Sequence, residues 1–568
     1  MKIKHFFGLA VLAAMTASCS SNNELVNGGN GSGENESGVG YATLSINLPT
    51  TNGTRAAGDP EFNPGDANEY DVKDVTLLIF KEAGSSENDY TFVETADLGT
   101  MAPWVKDDDN NGITTAATIT AKLNSVDLNG KYYALAILNN KDKTNNLKVK
   151  MPDPDQTYSN WNATTSTDTK FADNKNGFYM ANAPQFSTGT PTTLVKIDKV
   201  YATKQAAETS KATTIHVERG LAKVTVASLP TGLQATGKLY EKDKVDITAW
   251  NLDVTNKSTF PIHSLTDLTT NFTTIWSAST DPAPSTGRFV DGSNTAFKRV
   301  YWGVDPNYST DYTTVTDCEK AFNVLPANAV INGDATTPQY CLENTFDINH
   351  MKQGQTTRVV FKAKYTPNGF TAGETFYKIG NNTDLWKKAN LEAQIKAKAL
   401  EALNETDADK VTVTLDATEN DIAGTAGTKI LKEANVQHNG TNVSSTEINA
   451  INEKLGLKAA AGTDPIVGIA TYTSGESYYI ARIKHFGDDL TPWNAGDDTY
   501  GTDNVKYLGR YGVLRNNWYE LTVNSVSGPG TPDVPTIKPT DPDDENYKYI
   551  SVSVKILDWA KRSQSVDL

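Results

Sequence analysis

The acidic run Asp107-Asp108-Asp109-Asn110-Asn111-Gly112 alternates oxygen donors with a glycine in sixth place, as a calcium loop begins. Its twelfth position is Thr118, where such a loop needs a bidentate glutamate, so a solvated turn is expected. His485 stands close to Asp488 and Asp489, residue types suited to acid–base work. No serine or cysteine nucleophile motif accompanies it, and the chain has no G-x-S-x-G, H-E-x-x-H, phosphate-binding loop or dinucleotide fingerprint, so His485 reads as structural. With 6 His and 3 Cys there is little material for a metal centre or thiol chemistry. No catalytic, cofactor-binding or metal-ligating residue is assigned, no cofactor is expected, and a structural or binding role ranks ahead of an enzyme.

Composition narrows the class further. The chain has 568 residues, 38% hydrophobic and 21% charged, with net charge −16. That length suits two to four domains, and the polarity excludes a multi-span membrane protein. Wrapping of nucleic acid is excluded as well, because phosphate binding needs clustered cations. Lys2 and Lys4 precede the apolar stretch Phe6-Phe7-Gly8-Leu9-Ala10-Val11-Leu12-Ala13-Ala14, which reads as an export signal over residues 1–18. Thr16-Ala17-Ser18-Cys19 is similar to a bacterial lipobox, in which the cysteine takes a diacylglycerol and becomes the new N-terminus. Lipidation of Cys19 and an outer-membrane precursor are expected. Cys318 and Cys341 then remain in a compartment that permits disulfides, and whether they bridge is left open, because a sequence does not give their separation.

The elements along the chain are mostly short alternating segments separated by turn residues: 72–80, 132–138, 214–226, 298–302, 357–365, 478–484 and 518–523. This spacing predicts a mainly β protein built from β-sandwiches. Helices are a minority, one over 385–403 and one starting at the capping box Ser444–Glu447, both in an insertion of the second domain at about 380–460. The predicted organisation is a tether and removable first strand over 19–55, an N-terminal domain over 56–212 and a C-terminal domain over 213–527. A Pro-rich extended linker over 528–546 and a terminal strand over 547–568 complete it.

Two segments carry the same pattern. In the first, Ala42, Leu44, Ile46 and Leu48 alternate with polar residues; in the last, Ile550, Val552, Val554 and Ile556 do. The first is followed by a small, polar loop whose one basic residue is Arg55, ahead of Ala56. Cutting there would free the first strand, take away one sheet edge and open a groove, which the terminal strand of another copy would fill. Burial of four such side chains contributes about 6–12 kcal/mol before ordering costs. Because groove and donor are different surfaces, the contact propagates instead of closing. The competing reading is a self-contained chain whose last strand folds onto its own sheet.

In combination and order, several segments resemble the major fimbrial subunits (fimbrillins) of Bacteroidales, particularly the Mfa type. They are Cys19 with its lipobox, the loop from Leu48-Pro49 to Arg55-Ala56, Val217-Glu218-Arg219-Gly220-Leu221-Ala222-Lys223-Val224, and Tyr301-Trp302-Gly303-Val304-Asp305-Pro306-Asn307-Tyr308. Tyr340-Cys341-Leu342-Glu343-Asn344-Thr345, Ile483-Lys484-His485-Phe486-Gly487-Asp488 and Gly509-Arg510-Tyr511-Gly512-Val513-Leu514-Arg515-Asn516-Asn517-Trp518-Tyr519 complete the set. The resemblance implies two tandem transthyretin-like β-sandwich domains with a detached C-terminal donor strand. It also implies export as a lipoprotein and cleavage between Arg55 and Ala56 by a trypsin-like or Arg-specific protease. The implied partners are copies of the same chain in an adhesive cell-surface filament, with fimbrial anchor and tip subunits. A tip or accessory subunit and a monomeric surface lipoprotein that binds glycan or protein ligands are the alternatives.

Overall fold

The computed structural model describes residues 38–49, 65–98, 105–106, 113–171, 176–185, 191–266, 300, 302–416, 422–423, 427–462, 464–486, 491, 507–543, 550–557 and 562–564. The N-terminal domain contains β1 (Gly40–Pro49), β2 (Val75–Lys81), β3 (Thr91–Thr95), β4 (Val105–Lys106), β5 (Ile113–Leu123), β6 (Tyr132–Leu138), β7 (Met180–Asn182), β8 (Val195–Lys196) and β9 (Thr213–Arg219). They form one hydrogen-bonded path in the order β3-β2-β6-β7-β9-β1-β5-β4, with β8 beside β6. Its core is the apolar run of β6, Leu77 to Phe80 of β2, the inward side chains of β1, and Trp161, Phe178 and Tyr179. A short helix α1 (Ala67–Tyr70) precedes β2, and α2 (Lys204–Glu208) leads into β9.

The C-terminal domain contains β10 (Leu221–Val226), β11 (Leu233–Gln234), β12 (Lys244–Asp253), β13 (Gln339–Leu342), β14 (Arg358–Thr366), β15 (Glu476–Arg482), β16 (Trp518–Val526), β17 (Ile550–Leu557) and β18 (Arg562–Gln564). One sheet has the order β13-β10-β16-β17-β18 and the other β11-β12-β14-β15. Alternate side chains of both sheets meet in a single cluster: Val224 and Leu521 come from the first, Val245, Phe361 and Tyr479 from the second. That is how period-two burial makes a sandwich. A lobe between β14 and β15 has its own core around Leu391, Ile395, Leu415, Ile448 and Ile451. It carries α3 (Lys388–Leu403) and α4 (Ser445–Lys454), and Ser444 and Glu447 form the expected capping box at the start of α4.

The mainly β character agrees with the sequence reading, and several particulars differ. The domain change lies at Gly220, not at 212, because β9 pairs with β1 and β7 of the first domain before the chain runs on as β10 of the second. Only a glycine fits there: a Cβ at Gly220 would lie 2.8 Å from Tyr179 Cδ1. The helix expected from 385 starts at Lys388, with Leu385–Trp386 taken up as a strand instead. Cys318 and Cys341 are not joined by a disulfide. They are buried in different clusters, Cys318 with Val254, Phe322 and Ile537, and Cys341 in the sandwich core.

The segment read as an extended linker is docked over its described part, 528–543. Thr531 exchanges two backbone hydrogen bonds of 2.9 Å with Tyr478 of β15. Val534 packs with Ala249, Ile331, Val360 and Ile480, and Ile537 with Cys318 and Phe322. Asp543, 3% exposed, ends the docked run: its carboxylate lies 2.8 Å from Arg482 Nε and accepts from Thr356 Oγ1, and its N–H donates to Met351 O at 3.1 Å. Proline and acidic content suggested a solvated arm, but this composition also suits a strap whose few apolar residues lie in surface grooves.

Candidate functional site

The inward residues of the strand expected to be removable are fully buried. Ala42 is 1% exposed, and Leu44, Ile46 and Leu48 are 0% exposed. They point into the same cluster as Leu135, Ile137 and Ile215. The expectation that its loss takes away one sheet edge is corrected by the topology: β1 is an interior strand. It runs parallel to β9, with Leu44 opposite Thr213 and Asn47 opposite His216, and antiparallel to β5, from Gly40 opposite Leu123 to Pro49 opposite Ile113. Withdrawing it would leave a slot walled on both sides by strands with unpaired backbone groups, a stronger demand for a replacement strand than an open edge makes.

Details of the slot were not visible in the sequence. Tyr41 exchanges two 2.8 Å backbone hydrogen bonds with Tyr201. Thr43, 8% exposed, donates from Oγ1 to Ala207 O of α2 at 2.8 Å and lies 2.9 Å from Thr120 Oγ1 of β5. Ser45 Oγ bonds Asn47 Oδ1 at 3.2 Å. At the far end a Cβ on Gly40 would meet Val200 Cγ1 at 2.3 Å, so the slot admits no side chain there. Burial pushes the neighbouring His216 down to about 4, leaving it neutral at pH 7.

The chain after the expected cut is held firmly. Glu69 of α1 bonds back to the Asp66 N–H at 3.0 Å, as a capping box does. Its side chain, 0% exposed, also lies 2.8 Å from Lys223 Nζ of β10 and accepts from Tyr340 Oη at 2.5 Å. The Lys223 ammonium stands 3.9 Å over the Trp518 ring of β16. Arg219 Nε donates to Glu69 O at 2.7 Å. The start of the first domain's body is therefore fixed to the second domain independently of β1.

The terminal segment with Ile550, Val552, Val554 and Ile556 is β17. It is not detached: it pairs antiparallel with β16 of its own chain, Val526 opposite Ile550 through Trp518 opposite Leu557, and β18 folds back on its other side. Cys19, Arg55, Ala56 and the Asp107–Gly112 turn lie outside the described residues. His485 is 1% exposed and bonds Tyr519 Oη at 2.8 Å with Phe486 against its ring, a place in the core; Asp488 and Asp489 are outside the described residues. Among the described residues no group of three or more His, Cys, Asp or Glu is placed to hold a metal ion, and no helix is long and apolar enough to cross a membrane.

Residues 470–565 match the family described as major fimbrial subunit protein type IV, Fimbrillin, C-terminal. The resemblance read from the residues agrees with this match, which covers β15, β16, the docked strap and β17. A search of curated proteins gave no match. Among solved structures, the chain is similar to two candidate cell adhesion proteins from Parabacteroides distasonis ATCC 8503. One has 10% identity and a TM-score of 0.36 over 92% of this chain and 98% of the other. The second has 12% identity and a TM-score of 0.33 over 92% and 100%. A fimbrial assembly protein from the same organism has 12% identity and a TM-score of 0.20 over 39% and 64%.

Proposed function

We propose that this chain is a non-enzymatic structural subunit of a cell-surface fimbria, and that it polymerises when proteolysis in the loop at Arg55 releases β1 and β17 of another copy takes its place. The observation that carries the proposal is the interior position of β1: it completes the core of the first domain, yet its only covalent link to the body is the loop that contains Arg55. The fimbrillin match supports the same reading. So does the difference between the two sites open to β17. In its own body it has one body strand beside it, β16, whereas between β9 and β5 it would have two.

In this reading the precursor is exported, lipidated at Cys19 and carried to the outer membrane, and an Arg-specific or trypsin-like protease frees it there. The filament, with anchor and tip subunits, mediates adhesion. Incubating purified precursor with trypsin tests the proposal: ladders on mildly denaturing gels are expected, and Arg55→Ala should stay uncleaved and monomeric. A second reading is favoured by one observation, the pairing of β17 with its own β16. It makes the chain a self-complete surface lipoprotein that binds glycan or protein ligands, and it predicts an unchanged monomer after trypsin.

A further inference from the structure

The slot is more selective than four apolar positions require, because its polar positions differ from one another. Resting on the strand-exchange reading above, we infer that residues 549–556 of a second copy enter the slot in the direction of β1 and in one register. Tyr549 then takes the place of Tyr41, Ser551 of Thr43, Ser553 of Ser45 and Lys555 of Asn47, with Ile550, Val552, Val554 and Ile556 at Ala42, Leu44, Ile46 and Leu48.

The match of polar residues is the first argument. Tyrosine falls on tyrosine, serine on serine, and a hydroxyl falls where Thr43 Oγ1 donates to the carbonyl of Ala207. Without β1 that carbonyl loses this donor and keeps those of Ser210, its N–H at 3.0 Å and its Oγ at 2.6 Å, so a hydroxyl at this place regains one hydrogen bond across the slot.

Exclusion of the alternatives is the second. A shift by one residue turns Ser551, Ser553 and Lys555 inward, because side chains alternate. A shift by two in the same direction places either Lys548 at Ala42, 1% exposed, or Asp558 at Leu48, 0% exposed. Reversing the strand places Asp558 at Ala42, Lys555 at Thr43 or Lys548 at Leu48, according to register. Each of these buries a charge without a partner, which costs far more than any apolar mismatch. In the register inferred, the one ammonium comes at Asn47, which is 8% exposed like Thr43 but stands two residues from the strand end and not against α2, so that a lysine stem can carry the charge towards that end. The neutral ring of His216 beside that position does not oppose it.

The far end of the slot agrees. Position 40 has no room for a Cβ, 2.3 Å from Val200 Cγ1, so Lys548 stays outside and the donor enters at Tyr549. From the anchored Asp543 to Tyr549 the chain spans at most about 20 Å.

Cysteine pairs read the register directly. Thr120 faces Thr43 across β1 and β5. The double variant Thr120→Cys/Ser551→Cys, treated with trypsin and oxidised, should give disulfide-linked ladders on non-reducing gels under full denaturation. Thr120→Cys/Lys555→Cys, which reports the reversed strand, should give none. Ladders from the second pair and not the first overturn the register, as does absence of both from filaments that form normally. Wild-type protein that stays monomeric after trypsin overturns strand exchange itself and the register with it. As an independent readout, Ser551→Ala should lower the polymerised fraction about fivefold, the loss of one net hydrogen bond. Ser551→Thr should restore it and Ser553→Ala should leave it unchanged; equal effects of the two alanine variants contradict the assignment.

Discussion

Ile46 is wholly buried in β1, so its truncation removes core contacts from the precursor but from nothing that remains after the cut. Ile46→Ala should cost the intact precursor about 2–5 kcal/mol in urea unfolding, and trypsin-processed filaments of the same variant should match wild type. Asp305 supplies a pH test at a different place. It is 3% exposed, and burial holds its carboxyl up at about 7 despite hydrogen bonds from the N–H groups of Thr345 and Asn307. The folded chain therefore keeps a proton that the unfolded chain gives up near pH 4. The stabilisation from this group is complete below pH 4 and is lost as pH rises towards 7, by at most about 1.4 kcal/mol per unit. Unfolding at pH 5 and pH 7.5 should show a smaller loss for Asp305→Asn than for wild type. The four apolar residues of β1 were legible from their period of two. The Thr43 hydroxyl was not, because its acceptor is 164 residues away.

Among the elements, the strap from 528 to 543 changes the mechanics most. If it stays docked in the filament, the arm that carries the donor begins after Asp543 and not at Gly528. Lys352 and Pro542 form an antiparallel bridge flanked by the bonds Gln353 N–H to Asp541 O, 3.0 Å, and Asp543 N–H to Met351 O, 3.1 Å. That is the close, non-hydrogen-bonded kind of pair. A Lys352→Cys/Pro542→Cys variant should therefore form a disulfide, and its oxidised and reduced forms should polymerise equally after trypsin; failure of the oxidised form alone would show that the strap must peel away. Asp543→Ala, which leaves the buried Arg482 guanidinium without its carboxylate, should destabilise the monomer by about 3–5 kcal/mol. Strands such as β6, Tyr132–Leu138, could be read to the residue from their apolar content between turn residues, and the α4 cap from its side-chain types. The strap could not, because its few apolar residues, Val534 and Ile537, have no period, and only the surface that receives them shows their role. The join at Gly220 was likewise hidden, since β9 and β10 read as one alternating segment by sequence and divide only by the sheets they enter.

For the whole molecule, β1 and β17, the strands proposed to exchange, lie in different domains joined by one continuous stretch of chain. β9 walls the slot, and β10, directly after Gly220, borders β16, on which β17 rests. Slot and donor are distinct surfaces, so repeated exchange of the kind proposed would build an open filament. Fixing of Glu69 to Lys223 keeps the two domains together while β1 is absent. A side-chain-resolved electron cryo-microscopy map of trypsin-processed filaments tests the central claim most directly. It should show residues 549–556 of one subunit between β9 and β5 of the next, parallel to β9, with no strand from residues 1–55. A slot that is empty or still filled by β1, with every β17 on its own β16, would contradict it.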